Sequence, residues 1–198
     1  NNWLTYASEI AEVIGADYEE LVPQATKRSP EFEVSDEYPL LQYQNWMRKR
    51  VNEHFDNKKG ARAIVHMPTG AGKTSTAMQI IFDQIRRQSP APCTVVWLAH
   101  SDELCEQAVL SFARLWPSQK ISPAKVWRAW GGVSELENFD PAGCNFVVSS
   151  FQTLNSWLTS ASADVFQRFN VLNLAAKFLV VDEAHLSTAP TFKNVINY

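Results

Sequence analysis

The sequence predicts an α/β fold, a central and mainly parallel sheet with helices on both faces, preceded by a small helical N-terminal segment. Three observations carry this. Short apolar, β-rich runs alternate with longer stretches of helical periodicity, a glycine-rich turn separates one such run from the helix after it, and an acidic pair closes another. Such alternation requires crossover connections, and crossovers give parallel strands that are covered on both faces.

The elements follow in chain order. Trp3, Leu4, Ala7, Ile10, Ala11 and Ile14 recur at helical spacing, which describes an amphipathic helix ended by Gly15. Val22 to Pro39 holds three prolines among charged and polar residues, the composition of a connector that sustains neither a continuous helix nor a central strand. A boundary is therefore expected there, with residues 1–39 as an appendage and linker and 40–198 as the main domain. In the main domain "ARAIVHM" (Ala61 to Met67) predicts a strand, Lys73 to Gln88 a helix, "CTVVWLA" (Cys93 to Ala99) a strand, and Asp102 to about Trp116 a helix. "AKVWRAW", "CNFVVSS" and "KFLVVD" predict three more strands, with helical stretches after Ser150 and from Ser162 to Ala176. Trp97 lies inside an apolar run and is expected in the core.

Composition narrows the class. With 198 residues, 45% of them hydrophobic, the chain can bury a substantial core. A net charge of −3 argues against a surface dominated by basic residues, and the pairs and triplets at Arg48 to Arg50, Lys58 with Lys59, and Arg86 with Arg87 read best as solvated faces. Cys93, Cys105 and Cys144 are odd in number and lack the spacing of a zinc site or a disulfide framework, which fits a reducing cytoplasm. No apolar run reaches the roughly 20 residues that span a bilayer, and "NNWLTYASEI" lacks the basic region and apolar core of a secretory signal. Its lack of an initiating Met suggests a trimmed start.

The sharpest motif is "HMPTGAGKTSTA", His66 to Ala77, between a β-rich run and a helical one. Thr69, Gly70, Ala71, Gly72, Lys73 and Thr74 suit a nucleotide triphosphate. The backbone amides wrap the phosphates, the glycines permit the unusual dihedrals, and the helix N-terminus adds its dipole. Lys73 then lies against the β- and γ-phosphates, and the Thr74 hydroxyl completes a Mg²⁺ shell. The general pattern asks for glycine where Met67 stands. A second half of the site is expected where "KFLVVDEAH" places Asp182 and Glu183 at the end of a strand. Asp182 can hold Mg²⁺ through its water shell, and Glu183 can orient or deprotonate the water that attacks the γ-phosphate. Lys73, Asp182 and Glu183 are thus the candidate catalytic set. His185 has no partner at metal-ligand spacing.

Taken together, "PTGAGKT" and "DEAH" resemble motifs I and II of the superfamily 2 helicases and translocases. Between them, "VVWLAHSDELCEQA" resembles motif Ia, with Glu103, Leu104 and Gln107 in matching positions, and "VVSSFQTLNS" resembles motif Ib. Upstream, "LLQYQNWMRKRV" resembles the adenine-reading Q motif. The wording of "LAHSDELCEQ", "SFQTL" and "DEAHLSTAPTFKNVI" is most like the type III restriction subunit-like helicases, and the resemblance covers Leu40 to Tyr198.

This resemblance implies a P-loop NTPase domain of the RecA-like kind, the first of two motor domains, with ATP and Mg²⁺ as cofactors. It implies adenine recognition by Gln44, and a coupling role for His185 toward the opposing domain. It places Ser101, Ser150 and Thr153 on the backbone of a nucleic acid, DNA in preference, single strand or duplex, with little base specificity because hydroxyl and amide contacts to phosphate carry no sequence information. Each of these hydroxyls also stands where a predicted helix begins, as an N-cap would, and the two readings are compatible. The family pattern continues past motif II to a further strand, which lies between the phosphate-loop and acidic strands, and to a second motor domain with arginines that complete the ATP site. Neither is in this sequence. Arginines supplied across an interface are worth about 10³ to 10⁵ in rate, so the chain alone should bind ATP weakly, turn it over poorly and not translocate. An RNA-directed helicase, and a nucleotide-dependent switch or scaffold that remodels no nucleic acid, are the alternative functions.

Overall fold

The computed structural model describes residues 39–58, 60–89, 91–121, 123–131, 133–134, 136–183 and 195. The helix expected at Trp3 to Ile14, most of the connector and His185 lie outside them. The described residues fall into two compact units, one running to Ile80 and the other starting at Ile81.

In the first unit, α1 spans Gln42–Asn57 and buries Tyr43, Gln44, Val51 and Asn52. Gln44 returns its side chain to its own helix start, where Oε1 accepts from the Leu41 N–H at 2.8 Å and satisfies a donor that the helix leaves unpaired. After it, the strand expected at Ala61 to Met67 is not formed. The run has no ladder partner among the described residues; Ile64 is 92% exposed and Met67 alone of the seven is buried. β-propensity expresses side-chain packing on a paired surface, so a β-rich sequence without a neighbouring strand stays irregular. The glycine-rich turn at Thr69 to Gly72 leads from this segment into α2, Lys73–Gln88, whose bounds match the expectation.

The second unit holds the sheet, in the order β3-β2-β4-β1-β5. Its strands are β1 Cys93–Ala99, β2 Lys125–Trp130, β3 Val133–Ser134, β4 Cys144–Ser150 and β5 Ala176–Val181. β1 pairs in parallel with both β4 and β5, and β2 in parallel with β4, while β3 adds a two-residue antiparallel edge that periodicity does not predict. All seven residues of β1 are buried, as a central strand covered on both faces should be. The connecting helices are α3 (Asp102–Leu115), α4 (Phe151–Leu158) and α5 (Ala163–Ala175).

Alternation along the strands divides the core. On one face Phe146 of β4 stacks on Phe112 of α3 with ring centres 4.1 Å apart, and Phe112 meets Phe82 of α2 edge-on at 5.5 Å. On the other, Val96, Leu98, Ala129 and Val147 pack with Phe151, Leu154 and Trp157 of α4 and Phe169 and Leu172 of α5. Trp97 is buried as expected, although its indole N–H finds no acceptor among the described residues. A single polar hub joins three strands. The Asn145 side chain accepts from Trp127 Nε1 at 2.9 Å and donates to the Asp140 carbonyl at 2.8 Å, with a longer contact of 3.4 Å to Thr94 Oγ1.

The thiols follow the packing. Cys93 and Cys144, 51 positions apart in sequence, face each other in register across β1 and β4, and the three cysteines are all free. Burial, reinforced by the neighbouring Cys144, pushes the Cys93 thiol up to about 11, and burial with the nearby Asp102 carboxylate pushes Cys105 up to about 12. These are inert core thiols at neutral pH. No helix among the described residues is long and apolar enough to cross a membrane.

Candidate functional site

The nucleotide-site candidates of the first unit converge on one loop. Pro68 to Ala71 closes a turn through Ala71 N–H to the Pro68 carbonyl at 3.1 Å, and Gly70 and Gly72 take φ of +80° and +78°, the left-handed region open to glycine. Gly72 then starts α2: its carbonyl accepts from the Thr76 N–H at 2.9 Å and from the Thr76 hydroxyl at 3.0 Å. Thr69 and Gly70 are exposed, and Ala71, Lys73 and Thr74 are half-buried. The loop is thus a turn with two glycine-dependent dihedrals feeding a helix N-terminus, the kind of segment whose free backbone N–H groups can serve an anion.

Gln44 belongs to this loop in space. As an isolated residue on a polar helix face it would be exposed; the structure leaves it 7% exposed, with Nε2 donating to the Ala71 carbonyl at 2.8 Å. A Cβ at Gly72 would run into that same Nε2, so close approach as well as dihedral requires glycine there. Tyr43, which sequence reasoning passed over, donates its hydroxyl to the same Ala71 carbonyl at 2.8 Å. Burial raises the phenol above its ordinary value, opposed by a hydrogen bond with Gln44, so it remains a donor at neutral pH. A tyrosine beside the glutamine at a helix start was the available signal, and nothing in its spacing distinguishes it from a packing residue.

In the second unit the remaining described candidates gather at the carboxyl ends of neighbouring strands. Ser101 follows β1 and accepts from Leu104 N–H at 3.3 Å; Ser150 ends β4 and accepts from Thr153 N–H at 3.2 Å while donating to Thr153 Oγ1 at 3.0 Å. Both serines are therefore N-caps of α3 and α4, as one of the two readings holds, and Ser150 is buried while Ser101 and Thr153 are half-buried. Asp182 extends the β5 ladder one step beyond the strand through its N–H to the Leu98 carbonyl at 2.9 Å. Its Oδ1 accepts from the Glu183 N–H at 3.0 Å. Glu183 takes φ +52°, a left-handed conformation uncommon for a side chain of its size and costing about 1–2 kcal/mol. A hydroxyl such as that of Thr74 and a carboxylate such as that of Asp182 are each oxygen donors of the kind a hard cation takes, and among the described residues no group of three or more His, Cys, Asp or Glu side chains could hold a metal ion.

Among solved structures, a nuclease-deletion mutant of the Type ISP restriction-modification enzyme LlaGI, in complex with a DNA substrate mimic, is similar at a TM-score of 0.57 and 18% identity, over 80% of this chain and 16% of that one. The ATP-dependent Type ISP restriction-modification enzyme LlaBIII, bound to DNA, is similar at a TM-score of 0.45 and 16% identity, over 73% and 12%. The chain therefore spans less than a fifth of the length of either. The first likeness shows a shared α/β fold. No curated protein matches in sequence. The family described as "Type III restriction enzyme, res subunit" matches residues 37–198, most of the chain and all of the described structure, so the chain belongs to the type III restriction enzyme res subunit family, whose motor domains are helicase-like.

Proposed function

We propose that the chain is the ATP-binding motor domain of an ATP-dependent DNA helicase or translocase, hydrolysing ATP with Mg²⁺ once a second motor domain completes the site. The observation that carries this is the loop at Thr69 to Thr74. Its two left-handed glycines open onto a helix N-terminus and Gln44 lies against it, an arrangement suited to phosphate oxygens with an adenine reader at one side. Lys73 would neutralise charge on the β- and γ-phosphates, and Thr74 and Asp182 would each offer an oxygen to Mg²⁺, whose chemistry there would be to shield the charge of the triphosphate. Glu183 takes the proton of the attacking water or aligns it. The left-handed Glu183 backbone, whose N–H donates to the Asp182 carboxylate, is consistent with a residue held in one position for that task.

Ser101, Ser150 and Thr153 contact the nucleic-acid backbone from helix starts, where N–H groups and hydroxyls present themselves together. His185 couples the site to the second domain. The LlaGI relative was captured with a DNA substrate mimic, which favours DNA over RNA as the strand. The test combines binding and turnover on the full-length protein. Lys73→Ala should lose ATP binding by at least tenfold, and Glu183→Gln should bind ATP normally while hydrolysis falls by 10² or more. DNA should stimulate wild-type hydrolysis. Full ATPase activity in Glu183→Gln refutes the role given to that carboxylate, and stimulation by RNA alone refutes the DNA preference.

A further inference from the structure

Resting on the reading of Thr69 to Thr74 as a phosphate loop, we infer that Tyr43 is a positioning residue for triphosphate binding, whose hydroxyl works with the Gln44 amide as a two-donor clamp on the Ala71 carbonyl. Tyr43 Oη and Gln44 Nε2 both lie 2.8 Å from that oxygen, so both of its lone pairs are engaged from one side by consecutive residues of α1. The Ala71 N–H is held as well, at 3.1 Å from the Pro68 carbonyl.

The consequence runs through one peptide plane. In a trans peptide the C=O and the following N–H point in opposite directions. Holding the Ala71 carbonyl against α1 therefore aims the Gly72 N–H away from α1, the direction from which the phosphate-loop reading expects phosphate oxygens to approach. Gly72 has no Cβ to block the clamp, and being a glycine it would let the plane rotate over a wide range were the clamp absent. Gln44 supplies one donor to that oxygen and Tyr43 the second, and two donors restrain the plane more than one. Tyr43 has a buried ring and a hydroxyl directed at the loop, and the clamp it makes involves no base. Its contribution is accordingly to phosphate affinity, independent of which base is attached.

Tyr43→Phe removes the hydroxyl and keeps the ring. Calorimetric titration of the full chain and this variant with ATP, GTP and inorganic tripolyphosphate, at a temperature where thermal unfolding shows both fully folded, separates the outcomes. The clamp predicts that the variant binds all three about three- to tenfold more weakly, by a similar factor, as expected for one lost hydrogen bond. A variant that is less heat-stable but binds tripolyphosphate as tightly as wild type does overturns the clamp and leaves Tyr43 a packing residue. Weakening confined to ATP also overturns it, by placing Tyr43 at the base. Wild-type chain that binds none of the three overturns the phosphate-loop reading itself, a result distinct from the other two.

Discussion

Gly70 and Gly72 share a left-handed backbone but not an environment, and the difference separates two physical costs at the residue scale. A side chain at Gly70 meets nothing within 4 Å, whereas one at Gly72 collides with the Gln44 amide. Gly70→Ala should therefore destabilise by the dihedral term alone, about 1–2 kcal/mol. Gly72→Ala adds displacement of a buried, hydrogen-bonded side chain and should cost about 2–4 kcal/mol. Urea denaturation of the two variants measures this, and equal losses would show that Gln44 yields without cost. Ser150 poses a different choice, since its hydroxyl already caps α4. Ser150→Ala loses that cap, about 1 kcal/mol, whether or not the residue also touches a strand of nucleic acid.

At the scale of elements, the sheet depends on hydrophobic alternation and on one polar knot. Asn145 sits 1% exposed between β1 and β2, taking the Trp127 indole proton and returning its own to the loop that precedes β4. Replacement by leucine orphans those partners inside a tightly packed layer, and we expect Asn145→Leu to destabilise by about 2–4 kcal/mol. Trp127→Phe, which removes one donor and retains a ring, should cost about 1 kcal/mol or somewhat more. Because the two share a hydrogen bond, the double variant should lose less than the two single losses added together. Strict additivity in chemical denaturation would show that the bond contributes nothing. The exposed Arg128 bridge to Glu106, at 3.0 Å, lies across β2 and α3 and is screened by solvent, which makes it a minor contributor.

At the scale of the whole molecule, buried thiols link stability to alkaline pH. Cys93 and Cys105 keep their protons to about 11 and about 12, against 9.0 for an ordinary thiol. Below pH 9 folded and unfolded chains both hold these protons and stability is unaffected. Above it the unfolded chain releases them first, so their contribution is lost as pH rises from 9 toward 12. Each thiol adds a downward slope of up to about 1.4 kcal/mol per pH unit within its window. Unfolding free energies at pH 8, 9.5 and 10.5 should show a shallower decline in a Cys93→Ala, Cys105→Ala double variant than in wild type. An unchanged slope would mean that other groups account for the alkaline loss.

What the sequence determined by itself was the part that rests on local pattern. Periodicity marked α2 to its ends, the apolar runs marked β1, β2, β4 and β5 to within a residue or two, and serines ahead of charged or polar helix starts marked the caps of α3 and α4. Gly70 and Gly72 were legible as turn glycines because their residue type readily tolerates the left-handed dihedrals they hold. Pairing was not legible, because it depends on neighbours distant in sequence. "ARAIVHM" reads as a strand yet forms no ladder, β3 has too few residues to show a period, and Cys93 meets Cys144 solely through the register of β1 and β4. The same reason hid Tyr43. Its hydroxyl acquires a role only when a carbonyl 28 positions later is folded against α1, and no spacing along the chain records a hydrogen bond made by tertiary approach.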